Sequence, residues 1–250
     1  MRRLGTALTT ALLGLVLAAS PAAAAYWTEP TPYWGGYSES AVTFDAGGHL
    51  HAAIAPTKIA GPYGILYVTD HTSEWVLRRG DMTPFYPETS IAYSAGKVRI
   101  VWVDSDHRGA LWLSRNDTGT WVSSRLWLGV AHDPVVANLG RGVGVAFRDS
   151  ARRLRYLTWD PVKGPSVPVV VATHCCDGFS LAVAGGQPAI AYASQNSGAF
   201  YAARTTGGWH SSPICGAPCG QPSLAFRNSV PAIVYVSGDD IWYVYRTAKA

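Results

Sequence analysis

A segment running from Ser90 to Trp121, SIAYSAGKVRIVWVDSDHRGALWLSRNDTGTW, recurs in diverged form through the chain and constrains its fold more than any other feature. Within it Ser90–Tyr93 reads as a strand, Ser94-Ala95-Gly96 as a turn, and Lys97–Val103 as a continuous apolar strand. Ala110–Arg115 follows as a third strand, and Trp121-Val122 opens a fourth. Each run has strand length and is bordered by turn residues, the pattern of antiparallel hairpins. A period of about 40–50 residues marks a repeat architecture.

The second strand recurs as LHAAIA from Leu50, VRIVWV from Val98, VGVAF from Val143, PAIAYA from Pro188 and PAIVYV from Pro231. The first recurs as SAVTF from Ser40, SIAY from Ser90, PVVA from Pro134, SLAV from Ser180 and SLAF from Ser223. A third-strand aromatic recurs at Tyr67, Trp112, Tyr156, Tyr201 and Tyr243, and a fourth-strand tryptophan at Trp75, Trp121 and Trp209. Pro165–Val171 takes that fourth place in the third copy. The second strands are apolar at nearly every position, which suits sheets covered on both faces. Five such copies predict an all-β, five-bladed β-propeller of four-stranded antiparallel blades, each burying both faces against its neighbours. The last copy ends before a fourth strand. Tyr26-Trp27 resembles the tryptophan segments, so this N-terminal strand is expected to pair with Ile241–Arg246 and close the ring.

Residues 1–25 read as a secretory signal, with Arg2 and Arg3 ahead of the apolar Ala11–Ala19 run and small residues at Ala22-Ala23-Ala24. Residues 26–250 read as one exported, monomeric domain, since no linker or charge block divides them and no later stretch could span a bilayer. Arginine exceeds lysine, which suggests a bacterial source with a GC-rich genome. Arg152, Arg153 and Arg155 form the only basic cluster, too little for a nucleic-acid surface.

Cys175, Cys176, Cys215 and Cys219 are an even set in a chain read as exported, so disulfides are expected. Adjacent cysteines rarely bridge each other. The two pairs precede the fourth and fifth copies, which predicts two cross-blade bridges with their order open. The alternative, a metal site from His174, Cys175, Cys176 and Asp177, competes with oxidation outside the cell.

Up-and-down strands sort their connections onto two rims. First-to-second and third-to-fourth turns are short and Gly-rich, for example Gly47-Gly48, Gly140 to Gly142 and Gly207-Gly208. The opposite rim collects longer, polar and aromatic loops, where binding usually resides on a rigid scaffold. Trp34, Tyr37 and Tyr86 offer flat rings for the apolar faces of sugars. Asp104, Asp106 and His107 form the densest polar group, and Asp149 takes the place of Asp104 one blade on. Asp104 and Asp149 could act as an acid and base pair. Such carboxylates could also hold calcium, or simply bond their own turns; no other cofactor is expected. His132-Asp133 reads as a solvated loop pair, and His49 with His51 as a plain exposed pair on the tight-turn rim. No Gly-x-Ser-x-Gly, His-Glu-x-x-His or phosphate-cradling loop occurs.

At Ser114, Asn116, Thr118 and Trp121, and again at Val68, Asp70, Thr72 and Trp75, the chain resembles the sialidase-type propellers that carry Asp-box repeats. The box pattern is Ser-x-Asp-x-Gly-x-x-Trp; the first site keeps its serine and tryptophan, the second its aspartate and tryptophan. In that family the box is a structural turn, so the resemblance implies a scaffold, not an activity. Sialidase-type rings have six blades, one more than the repeats here. Among five-bladed propellers are furanosidase-type glycosidases and tachylectin-like sugar binders, and fold alone does not choose between them. The expected function is recognition of a glycan or other cell-surface ligand on the long-loop rim by Trp34, Tyr37, Tyr86, Asp104, Asp106, His107 and Asp149. A glycoside hydrolase and a protein-binding or inhibitory propeller are the alternatives.

Overall fold

The structure, a computed structural model, describes residues 2–4, 37–56, 63–70, 72–79, 88–104, 109–175, 178–194 and 196–246. Strand β1 (Arg2–Leu4) precedes five sheets. The first sheet holds β2 (Tyr37–Phe44), β3 (Leu50–Pro56), β4 (Tyr63–Thr69) and β5 (Ser73–Arg79). The second holds β6 (Thr89–Ser94), β7 (Lys97–Asp104), β8 (Ala110–Asn116) and β9 (Trp121–Trp127). In the third, β10 (Ala131–Asn138), β11 (Val143–Asp149) and β12 (Leu154–Asp160) are followed by two short outer pieces on β12, β13 (Gly164–Pro165) and β14 (Val169–Ala172). The fourth holds β15 (Phe179–Ala184), β16 (Gln187–Ser194), β17 (Gly198–Thr205) and β18 (Gly208–Cys215). The fifth holds β19 (Gly220–Arg227), β20 (Val230–Ser237) and β21 (Asp240–Tyr245), with β1 as its fourth strand. Every pairing is antiparallel, and no helix occurs among the described residues.

Tyr26-Trp27, the expected closing strand, lies outside the described residues. The β21 edge reserved for it is paired by Arg2–Leu4, in the register Arg2 to Tyr243 and Leu4 to Ile241. An edge strand offers unpaired N–H and C=O groups to whatever strand reaches it.

Strand register refines the repeat. Ile91, Val136, Leu181 and Leu224 oppose Ile100, Val145, Ile190 and Ile233, and Val42 opposes Ala52 in the first sheet. Val135, not Pro134, therefore matches Ser90, because a bulge between His132 and Val135 absorbs one residue. Trp112 opposes Trp102, one position away from the alignment that joins Tyr67, Tyr156, Tyr201 and Tyr243 to Ala53, Ala146, Ala191 and Val234. A slip of one residue moves a side chain to the other face.

The sheets stack by their first strands, β2 on β6, β6 on β10, β10 on β15 and β15 on β19. Ala53, Ile65 and Tyr67 of the first sheet meet Ile91, Ile100 and Trp102 of the second. Val101, Leu111 and Leu113 meet Val143, Val145 and Phe147 of the third. Each such fully buried side chain stabilises by roughly 1.5–3 kcal/mol. Trp112, Trp121 and Trp242 pack at these joints, Trp112 on the face opposite to the one its alignment with Tyr67 implies. Trp121 meets Tyr67 edge-on at 5.2 Å, and Trp209 meets Tyr156 in the same way at 5.0 Å.

Polar groups lock the joints in register. Ser90 Oγ accepts the Val136 N–H at 3.1 Å, and the equivalent Ser180 Oγ accepts the Leu224 N–H at 3.1 Å. Arg99, buried between the second and third sheets, pairs with Asp117 at 2.9 Å and lies over the Trp159 ring. The Ser94 hydroxyl donates into the third sheet's first turn, with the carbonyls of Gly140 and Gly142 at 3.0 and 2.8 Å. Ser94→Ala should lower unfolding free energy by about 1–2 kcal/mol, since it leaves buried acceptors without their donor. Chemical denaturation of both proteins measures the difference.

Candidate functional site

The long-loop rim gathers a polar cluster where the first strands of the second and third sheets begin. Glu88 leads into β6, and its backbone carbonyl accepts the Val103 N–H at 3.0 Å. The equivalent Gly178 carbonyl accepts the Ala193 N–H at 3.1 Å, so this first rung repeats. Two residues before the Ser90-equivalent position the chain turns left-handed in three successive sheets, at Asp133 (φ 53°), Gly178 (φ 100°) and Gln221 (φ 48°). For a residue with a Cβ this conformation costs roughly 1–2 kcal/mol. Bulges of this kind re-aim side chains at sheet rims.

At Asp133 the strain is held by neighbours. Its N–H donates to Glu88 Oε2 across the joint, and its Oδ2 accepts both Nε and Nη2 of Arg148 at 2.8 Å. His132 Nδ1 lies 3.7 Å from Glu88 Oε1. The expected free loop pair His132-Asp133 is thus tied into a four-residue network spanning two sheets. All four side chains keep some exposure.

Of the rim residues expected to bind, Trp34, Tyr86, Asp106 and His107 lie outside the described residues. Tyr37 opens β2 opposite Pro56, and Asp104 closes β7 opposite Ala110, which puts it beside Glu88 on the same rim. Asp149 is described in full and is not a rim carboxylate. It is 1% exposed and accepts the N–H groups of Ala151 and Arg153, both at 2.9 Å. Its Oδ2 also takes the Nε groups of Arg153 at 2.8 Å and Arg155 at 2.6 Å. Burial alone would raise its pKa; the bonds from Arg155 and Arg153 outweigh burial and hold the carboxyl below its ordinary value. The basic cluster read from the sequence is in this part the counter-charge of one aspartate.

The cysteines correct the cross-blade expectation. Cys215 is bonded to Cys219 within the single connection between the fourth and fifth sheets, their Cα atoms 6.6 Å apart. That separation lies inside the disulfide range, and the bond closes a loop within one connection. Cys175 is buried in the core between the third and fourth sheets. Beside it, His174 and Tyr192 line a cavity of about 400 Å³ with Ser194 and Ser197. Cys176 and Asp177 lie outside the described residues.

On the tight-turn rim the two histidines part company. His49 is exposed and bonds Asp45 Oδ2 at 3.0 Å, which raises the His49 pKa; the same contacts pull Asp45 down to about 2. His51 is not exposed as expected. It lies between Tyr67 and Tyr93, with Nδ1 2.6 Å from the Tyr67 hydroxyl.

The same rim holds two homologous pockets that the loop-centred reading overlooks. Between the third and fourth sheets, Tyr156, Gln187, Pro188, Arg204, Thr205 and Thr206 line a cavity of about 290 Å³. Between the fourth and fifth, Tyr201, Ser212, Pro213, Pro231, Tyr245 and Arg246 line another of about 290 Å³. Tyr156 matches Tyr201, Pro188 matches Pro231, and Arg204 matches Arg246. The Arg204 guanidinium lies 5.8 Å above the Tyr156 ring. Burial pushes the Tyr156 hydroxyl up to about 12, against the opposing pull of Arg204, and it raises Tyr201 against Arg246. Among the described residues lining either pocket, arginine is the charged one. The signal was present as Tyr-x-x-Arg at Tyr201–Arg204 and Tyr243–Arg246. It pairs across neighbouring repeats, however, and not within one.

No protein family and no curated protein matches the chain in sequence. Solved structures of similar fold do. They include the fucose lectin of Aleuria aurantia, a six-bladed β-propeller, at TM-score 0.54 and 11% identity over 83% of this chain and 76% of that one. The α-L-arabinanase of Penicillium chrysogenum, solved with arabinobiose, matches at TM-score 0.57 and 12% identity over 83% and 77%. AofleA of Arthrobotrys oligospora matches at 0.55 and 12% over 84% and 70%. The fold is that of a β-propeller.

Asp149→Asn should cost about 1–3 kcal/mol, because it takes the charged acceptor from Arg155 and from the partly exposed Arg153. The stabilisation from the depressed Asp149 pKa is complete above the unfolded value of about 3.9 and is lost as pH falls through the folded value. Thermal melts from pH 7 to pH 2 should therefore converge for the two proteins at the acid end.

Proposed function

We propose that this protein is a secreted, lectin-like glycan-binding propeller, and that its two Tyr–Arg pockets are saccharide sites. The observation that carries the reading is their recurrence. One constellation of tyrosine floor, proline wall and arginine mouth stands at two successive joints, with the same volume. A guanidinium fork presents donors in a fixed plane for hydroxyl or carboxylate oxygens. Thr205, Thr206 and Gln187 in one pocket, and Ser212 in the other, supply further hydrogen-bonding groups. The prolines and the exposed Tyr245 ring offer the apolar surface that sugar C–H faces require. With arginine as the charged lining group, an acidic saccharide fits better than a basic one.

The long-loop rim is the second surface in this reading. Trp34, Tyr37 and Tyr86 would supply rings, and Asp104, Asp106, His107 and the Glu88–Asp133–Arg148 network polar contacts. Binding is favoured over hydrolysis because Asp149, one of the two carboxylates a hydrolase would use, is spent on its own arginines. Export through residues 1–25 fits the Cys215–Cys219 bridge; removal of that segment would take β1 with it and leave the β21 edge to another strand. No helix among the described residues is long and apolar enough to cross a membrane. Similarity of fold to fucose lectins and to an arabinanase is compatible with a carbohydrate ligand.

A glycan array with neutral and uronic- or sialic-acid-bearing oligosaccharides, followed by calorimetry, tests the reading. Two equivalent sites are expected per chain. Arg204→Ala or Arg246→Ala should each remove one site, and the double variant both, with melting temperatures unchanged. Binding that survives the double variant but is lost in Glu88→Gln would move the site to the long-loop rim. Turnover of chromogenic glycosides would replace the lectin reading with a hydrolase.

A further inference from the structure

The outer strands share one register, and at one joint a place in it is nearly empty. In four sheets the third and outer strands pair with a bulge at the same point, between Ile65 and Leu66, Leu111 and Trp112, Leu154 and Arg155, and Ala199 and Phe200. Opposite the first residue of each pair stand Leu77, Trp127, Ala172 and Cys215. These four positions are equivalent, since a bulge fixes which residues share a face.

Trp127 shows what the place holds at a filled joint. Its ring lies on Phe147 of the next sheet, centroids 4.9 Å apart, and packs against the core there. Cys215 likewise packs into the joint between the fourth and fifth sheets. Tyr192 is the counterpart of Phe147. Each faces the sheet before it, and each opposes the second residue of a bulged pair, Phe200 and Arg155 respectively. At the joint that Tyr192 faces, the tryptophan's place belongs to Ala172. A cavity of about 400 Å³ opens there, lined by Ala172, Tyr192 and Phe200. Protein interiors keep few voids larger than a water molecule. One left where the neighbouring joint seats an indole is shaped for a comparable ring.

The lining narrows the ligand's chemistry. Tyr192 and Phe200 stack at 5.4 Å with their planes 17° apart, which gives the cavity an aromatic wall. Ser194, Ser197 and His174 bring polar atoms to it from the long-loop rim. Ser194 is 9% exposed, and its hydroxyl makes no hydrogen bond to another described residue. Its counterpart Asp149 is satisfied by the arginines of its own turn. His174 Nδ1 lies 3.0 Å from Thr173 Oγ1, which leaves Nε2 as the second polar atom at the edge. Among the described residues lining the cavity there is no Asp, Glu, Lys or Arg, in contrast to the Tyr–Arg pockets. Such a lining suits a neutral ligand better than an ion.

We propose that the cavity between the third and fourth sheets binds a small, neutral, planar aromatic molecule. Its ring takes over Tyr192 the place that Trp127 takes over Phe147, and its polar edge bonds Ser194 Oγ. The volume lies in the range of small-molecule sites, roughly 300–1,000 Å³. The site is separate from the Tyr–Arg pockets and does not rest on their saccharide reading.

Indole is the probe. Calorimetry on the full chain should find one saturable site with a Kd of about 1 mM or tighter; absence of saturable binding would overturn the proposal. Ala172→Trp supplies the ring from the chain itself and should weaken indole binding more than tenfold. Retained binding in that variant, with native circular dichroism, would place indole elsewhere and overturn the proposal. Ser194→Ala should weaken indole by roughly threefold to tenfold, the loss of one neutral hydrogen bond, and should leave N-methylindole, which lacks the donor, unchanged. Equal losses for both would overturn the role of Ser194. A second measurement needs no variant. In isotope-labelled native protein, indole should shift the amide signals of Ala172, Tyr192 and Ser194, and shifts confined to the tight-turn rim would overturn the assignment. The double variant Arg204→Ala, Arg246→Ala, which lacks the saccharide sites, should still bind indole, so the two readings fail separately.

Discussion

Each sheet of this protein has two apolar faces and must have both covered. That requirement organises everything else. A four-stranded antiparallel sheet standing alone would leave both Ile100 and Val101, on its opposite faces, in water, and both are wholly buried here. Among the described residues, stacking by first strands satisfies the demand at four joints. Serines at Ser90 and Ser180 show how the demand is made specific. Hydrophobic contact is indifferent to small slides, whereas an amide that must reach a hydroxyl admits one register.

The joints also make the pockets. Tyr156 and Tyr201 sit on the preceding sheet and Arg204 and Arg246 on the following one, so neither cavity exists within a repeat. Charge is partitioned in keeping with this. Asp149 and Arg99 are drawn inside and neutralised by partners that reach toward the surface, Asp149 by Arg153 and Arg155 and Arg99 by Asp117. The pocket arginines and the Glu88–Asp133–Arg148 network keep exposure.

Strands and turns were legible in the sequence because a sheet covered on both faces needs near-continuous apolar runs, as in VRIVWV and PAIAYA. The division into sheets followed from the period. Errors came where one residue mattered. A bulge at His132–Val135 shifted the third copy by one, and the placement of Trp112 went to the wrong face for the same kind of reason. Asp149 looked like a rim carboxylate because it matches Asp104 in the repeat. Its role is set by Arg153 and Arg155, residues the repeat does not share. The disulfide went to the near partner, Cys219, a matter of how one connection folds back.

By itself the amino-acid order determined that the chain forms antiparallel hairpins in five copies, since strand period and turn chemistry act over a few neighbouring residues. Tertiary structure alone decided which tyrosine meets which arginine and which aspartate is buried. Those outcomes depend on contacts between residues some 45 positions apart, and such contacts exist only after neighbouring sheets have chosen a common register.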